Sequence, residues 1–117
     1  MTVDPQAFAE AWVAAWNSRD LTQILSHYAD DVVFTSPYSS RYTGDPSGRV
    51  IGKAALADYW GRALPALPDL RFTLRAVLKG VDGLAIRYHS SAAGGEVVEI
   101  VRFGPDGLVR ESAAYYE

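Results

Sequence analysis

The sequence predicts an α+β domain in which three N-terminal helices cover one face of a curved, mostly antiparallel sheet. Two observations carry this. Apolar residues recur at helical spacing through the segments led by Phe8, Ile24 and Tyr59, whereas the last third alternates with a period of two. That last third is punctuated by Asp82-Gly83, Gly94-Gly95 and Asp106-Gly107, each a turn signal. At 117 residues the chain is one domain, 1–117. Such a domain buries roughly two thirds of its unfolded surface, so it needs no metal or disulfide to hold it.

Asp4-Pro5 reads as N-cap and first-turn proline, and Phe8, Trp12, Ala15 and Trp16 follow at helical spacing, so residues 5 to about 17 form an amphipathic helix. Asn17-Ser18-Arg19 breaks it. Asp20 caps a second helix with Leu21, Ile24, Leu25 and Tyr28 on its stripe, ending before Asp30-Asp31. Val32 to Ser36 is a short strand stopped by Pro37. Residues 37–51 lack periodicity and read as a loop of functional length, with Tyr38 and Tyr42 either over a cavity mouth or packed on the surface. Gly52 precedes a third helix, residues 53–64, with Leu56, Tyr59, Trp60 and Leu64 as its stripe; Pro65 and Pro68 prevent its continuation. A four-strand meander follows at about 70–79, 84–92, 96–103 and 108–116.

With 11 basic and 14 acidic side chains the net charge is -3, spread without blocks, which speaks against a nucleic-acid surface. No apolar run approaches a membrane span, and Met1-Thr2-Val3-Asp4-Pro5 lacks the basic-then-apolar order of a leader. A soluble cytoplasmic protein without membrane contact is expected. The chain has no cysteine, which removes disulfides, thiolate chemistry and Cys-based zinc sites. Phosphate loops, His-Glu-x-x-His and Gly-x-Ser-x-Gly are missing, so no cofactor and no metal are expected. Asp30-Asp31 point apart on a turn and read as capping residues rather than a metal pair.

Chemistry concentrates in the hairpin from Leu84 to Phe103. In its second arm Val97, Glu99, Val101 and Phe103 share one face, while Glu96, Val98, Ile100 and Arg102 share the other. A two-residue Gly94-Gly95 turn sets Ser90 opposite Glu99 and Tyr88 opposite Val101, and gives Leu84, Ile86, Tyr88 and Ser90 the same face as Glu99. The alternative, a three-residue Ala93-Gly94-Gly95 loop, sets His89 opposite Glu99; the first register is preferred. Both arms then place Glu99 inward among apolar residues. Burial disfavours a carboxylate, so Glu99 is expected to be a proton donor or base near neutral pH. The competing reading is a structural glutamate satisfied by Ser90, Tyr88 or a buried water.

Trp16-Asn17-Ser18-Arg19-Asp20, Tyr28-Ala29-Asp30-Asp31-Val32-Val33-Phe34, Ser36-Pro37, Gly52-Lys53-Ala54-Ala55-Leu56 and Val97 to Phe103 followed by Asp106-Gly107 together resemble the nuclear transport factor 2-like superfamily. More narrowly the chain resembles its SnoaL-like polyketide cyclase and ketosteroid isomerase branch, from about Phe8 to Tyr116. The resemblance implies a cone enclosing a largely apolar pocket for a small hydrophobic molecule, often in a homodimer. This fold hosts isomerases, cyclases, dehydratases, epoxide hydrolases and non-catalytic binding domains. In ketosteroid isomerase an Asp base takes the proton while a Tyr and a protonated Asp stabilise the oxyanion. Matched by motif, the base position falls on Ser36, the Tyr position on Trp12 and the acid position on Glu99. Serine without an adjacent base cannot take that proton, and an indole donates one N–H without supplying a phenol. Steroid isomerisation is therefore not expected.

The expected site has Glu99 and Tyr88 as its catalytic residues, with Trp12, Trp16, Ser36, Tyr38, Trp60, Ile86, Ser90 and Tyr116 around a ligand. The three Trp lie on helix stripes and serve equally as plain core. Tyr88 and Tyr116 either meet a ligand oxygen or only satisfy the carboxyl group. His27 near a helix C-terminus and His89 on the outward face need no catalytic part. The expected function is a cofactor-independent isomerase, cyclase or hydrolase acting on a small hydrophobic molecule. A binding module for such a ligand, or a dimerisation domain of the same fold, is the alternative.

Overall fold

Asp4 adopts an extended backbone and accepts the Ala7 N–H on its carboxylate at 2.9 Å, with Pro5 in the first turn, so helix α1 (Pro5–Ser18) starts where the capping chemistry places it. The computed structural model describes residues 3–117; Met1 and Thr2, which carried part of the leader argument, lie outside the described residues. After α1 come α2 (Leu21–Leu25), β1 (Tyr28–Thr35), α3 (Ser40–Thr43), β2 (Arg49–Ile51), α4 (Lys53–Ala66) and the meander β3 (Phe72–Lys79), β4 (Gly83–Ser90), β5 (Gly95–Phe103) and β6 (Val109–Tyr116). The strands form one curved, open sheet in the order β2-β1-β6-β5-β4-β3, antiparallel except where β1 runs parallel to β6. Register shifts in β3 between Leu74 and Ala76, and between Arg102 and Phe103, supply local bends.

Two tethers seat α1 across the sheet. Asn17 donates to the Phe72 carbonyl at 2.9 Å and accepts the Phe72 N–H at 2.8 Å, fixing the end of α1 to β3. Arg19, in the left-handed conformation (φ 64°), donates to the carbonyls of Leu64 (2.6 Å) and Leu67 (3.0 Å) at the C-terminal end of α4, adding to the Leu67 and Leu70 N–H groups that those carbonyls already accept. The stripe of α1 (Ala9, Trp12, Val13, Trp16) and that of α4 (Leu56, Tyr59, Trp60, Leu64) are then both buried over the sheet.

Four expectations are corrected. The second helix stops at Leu25, and Tyr28 opens β1 instead of closing the helix; the His27 carbonyl already accepts the Val109 N–H at 2.9 Å, so β6 draws the chain into the sheet. The supposed loop 37–51 contains α3 and edge strand β2. Gly48 (φ +72°) makes that turn possible: its carbonyl accepts the Ser36 N–H at 3.0 Å, and a Cβ there would come within 2.6 Å of the Ser36 oxygen. Helix α4 passes through Pro65 to Ala66, because a proline in the last turn gives up a single N–H. The hairpin register also differs. Ile86 pairs with Glu99, Tyr88 with Val97, His89 with Glu96 and Ser90 with Gly95, so the connection is the four residues 91–94. Gly94 (φ +69°) donates to the Ser90 carbonyl at 2.9 Å and closes that turn, which leaves Gly95 in the strand. The displacement from the expected register is even, so every side chain keeps its face.

Candidate functional site

One row across the concave face reads Val77, Ile86, Glu99, Ala114. Apolar neighbours flank Glu99 directly, so its hydrogen bonds come from the diagonals. Tyr88 on β4 donates its hydroxyl to Oε1 at 3.2 Å, and Ser112 on β6 donates to Oε2 at 2.6 Å. The side chain is 3% exposed and has no cationic partner among the described residues. Burial pushes its carboxyl pKa up to about 7, against the two hydroxyl donors, which pull it down. Near neutral pH both forms are therefore populated, and the group can give or take a proton.

Above this row lies a cavity of about 290 Å³, roofed by α1 and α4. Its walls are aromatic: Trp12 stacks on Phe72 (5.7 Å between centroids, 22°), Trp16 meets Trp60 edge-on at 4.8 Å, and Tyr28 meets Trp60 at 5.2 Å. The Trp12 indole donates to the Tyr28 hydroxyl at 2.9 Å. Burial, then the charge of Glu99, raises the Tyr28 pKa far above the ordinary phenol value, so Tyr28 stays protonated. The Trp16 N–H lies near enough to Tyr28 to oppose that rise but not in hydrogen-bonding geometry with it. It is buried without an acceptor. Tyr88 is likewise raised by burial and by Glu99, and remains a donor.

At the mouth Tyr38 packs edge-on against Tyr116 at 4.5 Å, and the Arg41 guanidinium sits over the Tyr38 ring, 4.7 Å from its centroid. Burial pushes the Tyr116 hydroxyl up to about 12 and raises that of Tyr59 further; the nearby Ser36 hydroxyl offsets both. Ser36 is buried and accepts the Tyr38 N–H at 3.2 Å.

The cavity thus gathers Glu99, Tyr88, Trp12, Trp16, Tyr38, Trp60, Ser90 and Tyr116. Two expected ligand contacts do not line it. Ser36 stands behind Tyr38 and supports tyrosines that do, and Ile86 is wholly buried core beside Glu99. Ser90 borders the cavity but lies opposite Gly95, so the partners of the carboxyl group are Tyr88 and Ser112 instead. Residues that sequence reasoning left out are Tyr28, Tyr59, Phe72, Arg41 and Ser112. Tyr28, Tyr59 and Phe72 carry the same aromatic signal as the three Trp. Arg41 and Ser112 carry none, because a loop cation and a strand serine gain meaning only from what faces them.

His89 Nδ1 is 3.2 Å from Glu96 on the outer face, and His27 packs edge-on with Phe8 at 5.3 Å, its pKa lowered by burial. Neither histidine lines the cavity. Among the described residues no three His, Asp or Glu side chains gather as a metal-binding group, and no helix is long and apolar enough to cross a membrane.

An open sheet curled around an aromatic cavity, with helices as its lid, is the fold shared with solved structures of the nuclear transport factor 2-like class. Within that class the SnoaL-like domain model matches residues 9–112, and the chain belongs to this family. A SnoaL-like protein of unknown function from Burkholderia thailandensis is 44% identical over 97% of this chain and 93% of its own, with a TM-score of 0.91. Two more distant structures share the fold. An NTF2-like protein of unknown function from Burkholderia pseudomallei has a TM-score of 0.75 at 17% identity, covering 98% of this chain and 92% of its own. TerC, crystallised with polyporic acid, has a TM-score of 0.74 at 20% identity, covering 97% and 92%. No curated protein matches the chain by sequence.

Proposed function

We propose that the cavity binds a small, flat, apolar molecule and that Glu99 exchanges a proton with it, as a cofactor-independent enzyme of isomerase, cyclase or hydrolase type. The observation that carries this reading is a buried carboxyl group with a pKa of about 7 and no counter-cation at the floor of an aromatic cavity. A purely structural acid would be better served by a lower pKa and a cation. Tyr88 and Ser112 fix the carboxyl plane, and each oxygen keeps a lone pair for a substrate proton. Trp16 and Tyr28 are the donors available to a ligand oxygen that gains charge. An apolar cavity of about 150 Å³ accommodates benzene. By that scale 290 Å³ suits one or two rings.

The test uses 2-tetralone, a two-ring ketone with exchangeable α-hydrogens, in D2O, with deuterium uptake followed by NMR. Enzyme-catalysed uptake that falls by at least about 100-fold in Glu99→Gln is expected of a general base. Binding of the ketone with exchange at the uncatalysed rate would favour the second reading, a non-catalytic ligand-binding module. One feature supports that reading: the residue at the isomerase base position is Ser36, which lies outside the cavity lining.

A homodimer through the convex face is also proposed. Leu78, Ala85, Ile100 and Ala113 form a continuous apolar row across β3, β4, β5 and β6, with Tyr115 exposed beside it. Light scattering should give twice the chain mass for the wild type and the single-chain mass for Ile100→Glu.

A further inference from the structure

Arg41 is the one cationic side chain among the described residues lining the cavity, and it is placed without a counter-ion. The contrast with other arginines is plain. Arg62, Arg75, Arg87, Arg102 and Arg110 each face a carboxylate, and Arg19 is engaged by carbonyls at the end of α4. Among the described residues Arg49 and Arg71 have no ion pair either, but they lie outside the cavity, whereas Arg41 lines it. Arg41 instead lies on the face of Tyr38, which leaves the edge of its guanidinium free for a planar partner.

Its position is built. The buried Ser39 hydroxyl donates to the carbonyls of Ser36 (3.0 Å) and Gly48 (2.9 Å), the Arg41 N–H donates to the Tyr38 carbonyl at 3.2 Å, and Tyr38 is braced by Ser36 and Tyr116. Arg41 marks the exposed end of the cavity, and within its buried part are the unpartnered Trp16 N–H and the Glu99 carboxyl group. That buried part accepts a neutral oxygen. A second carboxylate beside Glu99 would be buried next to a like group with no cation to offset it. The two parts therefore ask for different chemistry.

We propose that the preferred ligands are small aromatic acids, bound with the carboxylate on Arg41 at the mouth and a neutral hydroxyl or carbonyl oxygen at the Trp16 N–H. This rests on the ligand-pocket reading above and adds the polarity and charge of the ligand to it. Because Arg41 is exposed, solvent screens the pair, and the expected gain is modest, about five- to tenfold in affinity.

The experiment measures calorimetric binding of 4-hydroxycinnamate and of its neutral analogue 4-hydroxycinnamamide at pH 6, where the phenol is neutral and Glu99 is mostly protonated. The acid should bind wild type about five- to tenfold tighter than the amide. Arg41→Gln should lower the acid's affinity to that of the amide and leave the amide unchanged, and Arg41→Lys should fall between. Trp16→Phe should weaken both probes alike. Equal affinities in the wild type, or a preference for the acid that survives Arg41→Gln, would overturn the inference while leaving the pocket reading intact. Failure of both probes to bind at millimolar concentration would overturn the two together.

Discussion

Glu96 and Glu99 belong to the same strand, β5, and face opposite sides of it. Glu96, on the convex face, has Arg75 at 3.5 Å, Arg87 at 3.4 Å and His89 at 3.2 Å, all partly exposed. Glu99, on the concave face, has two hydroxyl donors and, among the described residues, no cationic partner. One side chain is an ordinary member of a screened surface network. The other is an acid whose charge the surroundings resist. Residue type is the same and so is backbone geometry, so the difference comes from strand parity and from what the helices exclude. A glutamate acquires a raised pKa here through the partners it lacks.

That contrast can be broken or sharpened by substitution. The largest effect is expected for the lid that keeps water from Glu99. Trp12→Ala empties a wholly buried site and deletes the bond to Tyr28, and should lower unfolding free energy by about 3–5 kcal/mol in denaturant titration. A loss below about 1 kcal/mol would mean that the concave side is wet, and the comparison with Glu96 would fail.

Glu99→Gln comes next, and its effect depends on pH. Because the folded pKa of about 7 exceeds the ordinary 4.5, folding holds the proton, and ionising Glu99 removes stability as pH rises through that window. Glutamine has no proton to lose. The variant should match wild type near pH 4.5 and exceed it by roughly 3 kcal/mol at pH 8. A gap that ignores pH would make Glu99 a structural acceptor like any other.

Ser112→Ala removes the shorter donor to the carboxylate. It should raise the Glu99 pKa further and cost about 1–2 kcal/mol at pH 8, with a smaller loss at pH 5, where the carboxyl group is neutral. Glu96→Gln is expected to matter least. Its ion pairs are screened, so the loss should be under about 1 kcal/mol and should shrink as salt is added. A larger, salt-insensitive loss would show that the two faces are more alike than their geometry indicates.

The helices, the meander and the inward face of β5 were legible because each rests on a periodicity that burial enforces. The hairpin shows how far that reaches. Two successive glycines looked like the turn, yet only Gly94 takes the left-handed conformation, and the loop lies to its N-terminal side. The face survived since any even slip preserves alternation, whereas the partner of Glu99 did not. Tyr28 was misplaced because a tyrosine that follows Ile24 and Leu25 fits a helix stripe, and nothing local announces that β6 will pair with the chain at His27. Arg41 and Ser112 were invisible for a related reason: their roles are set by residues far along the chain, across folded space and not along sequence.

The position of β6 has a consequence for synthesis. In the sheet order, β1 and β2 reach the rest of the meander only through β6, the last in sequence of the described strands, and the pairing of Tyr28 with Val109 joins segments far apart along the chain. A growing chain can build the β3–β5 ribbon and the β1–β2 pair separately, but the wall containing Tyr28 and Phe34 cannot join that ribbon until Val109 to Tyr116 is made. Ser112 arrives on that same strand. The surroundings that raise the Glu99 pKa are therefore complete only once β6 has joined the sheet, a long-range pairing that local contacts cannot replace.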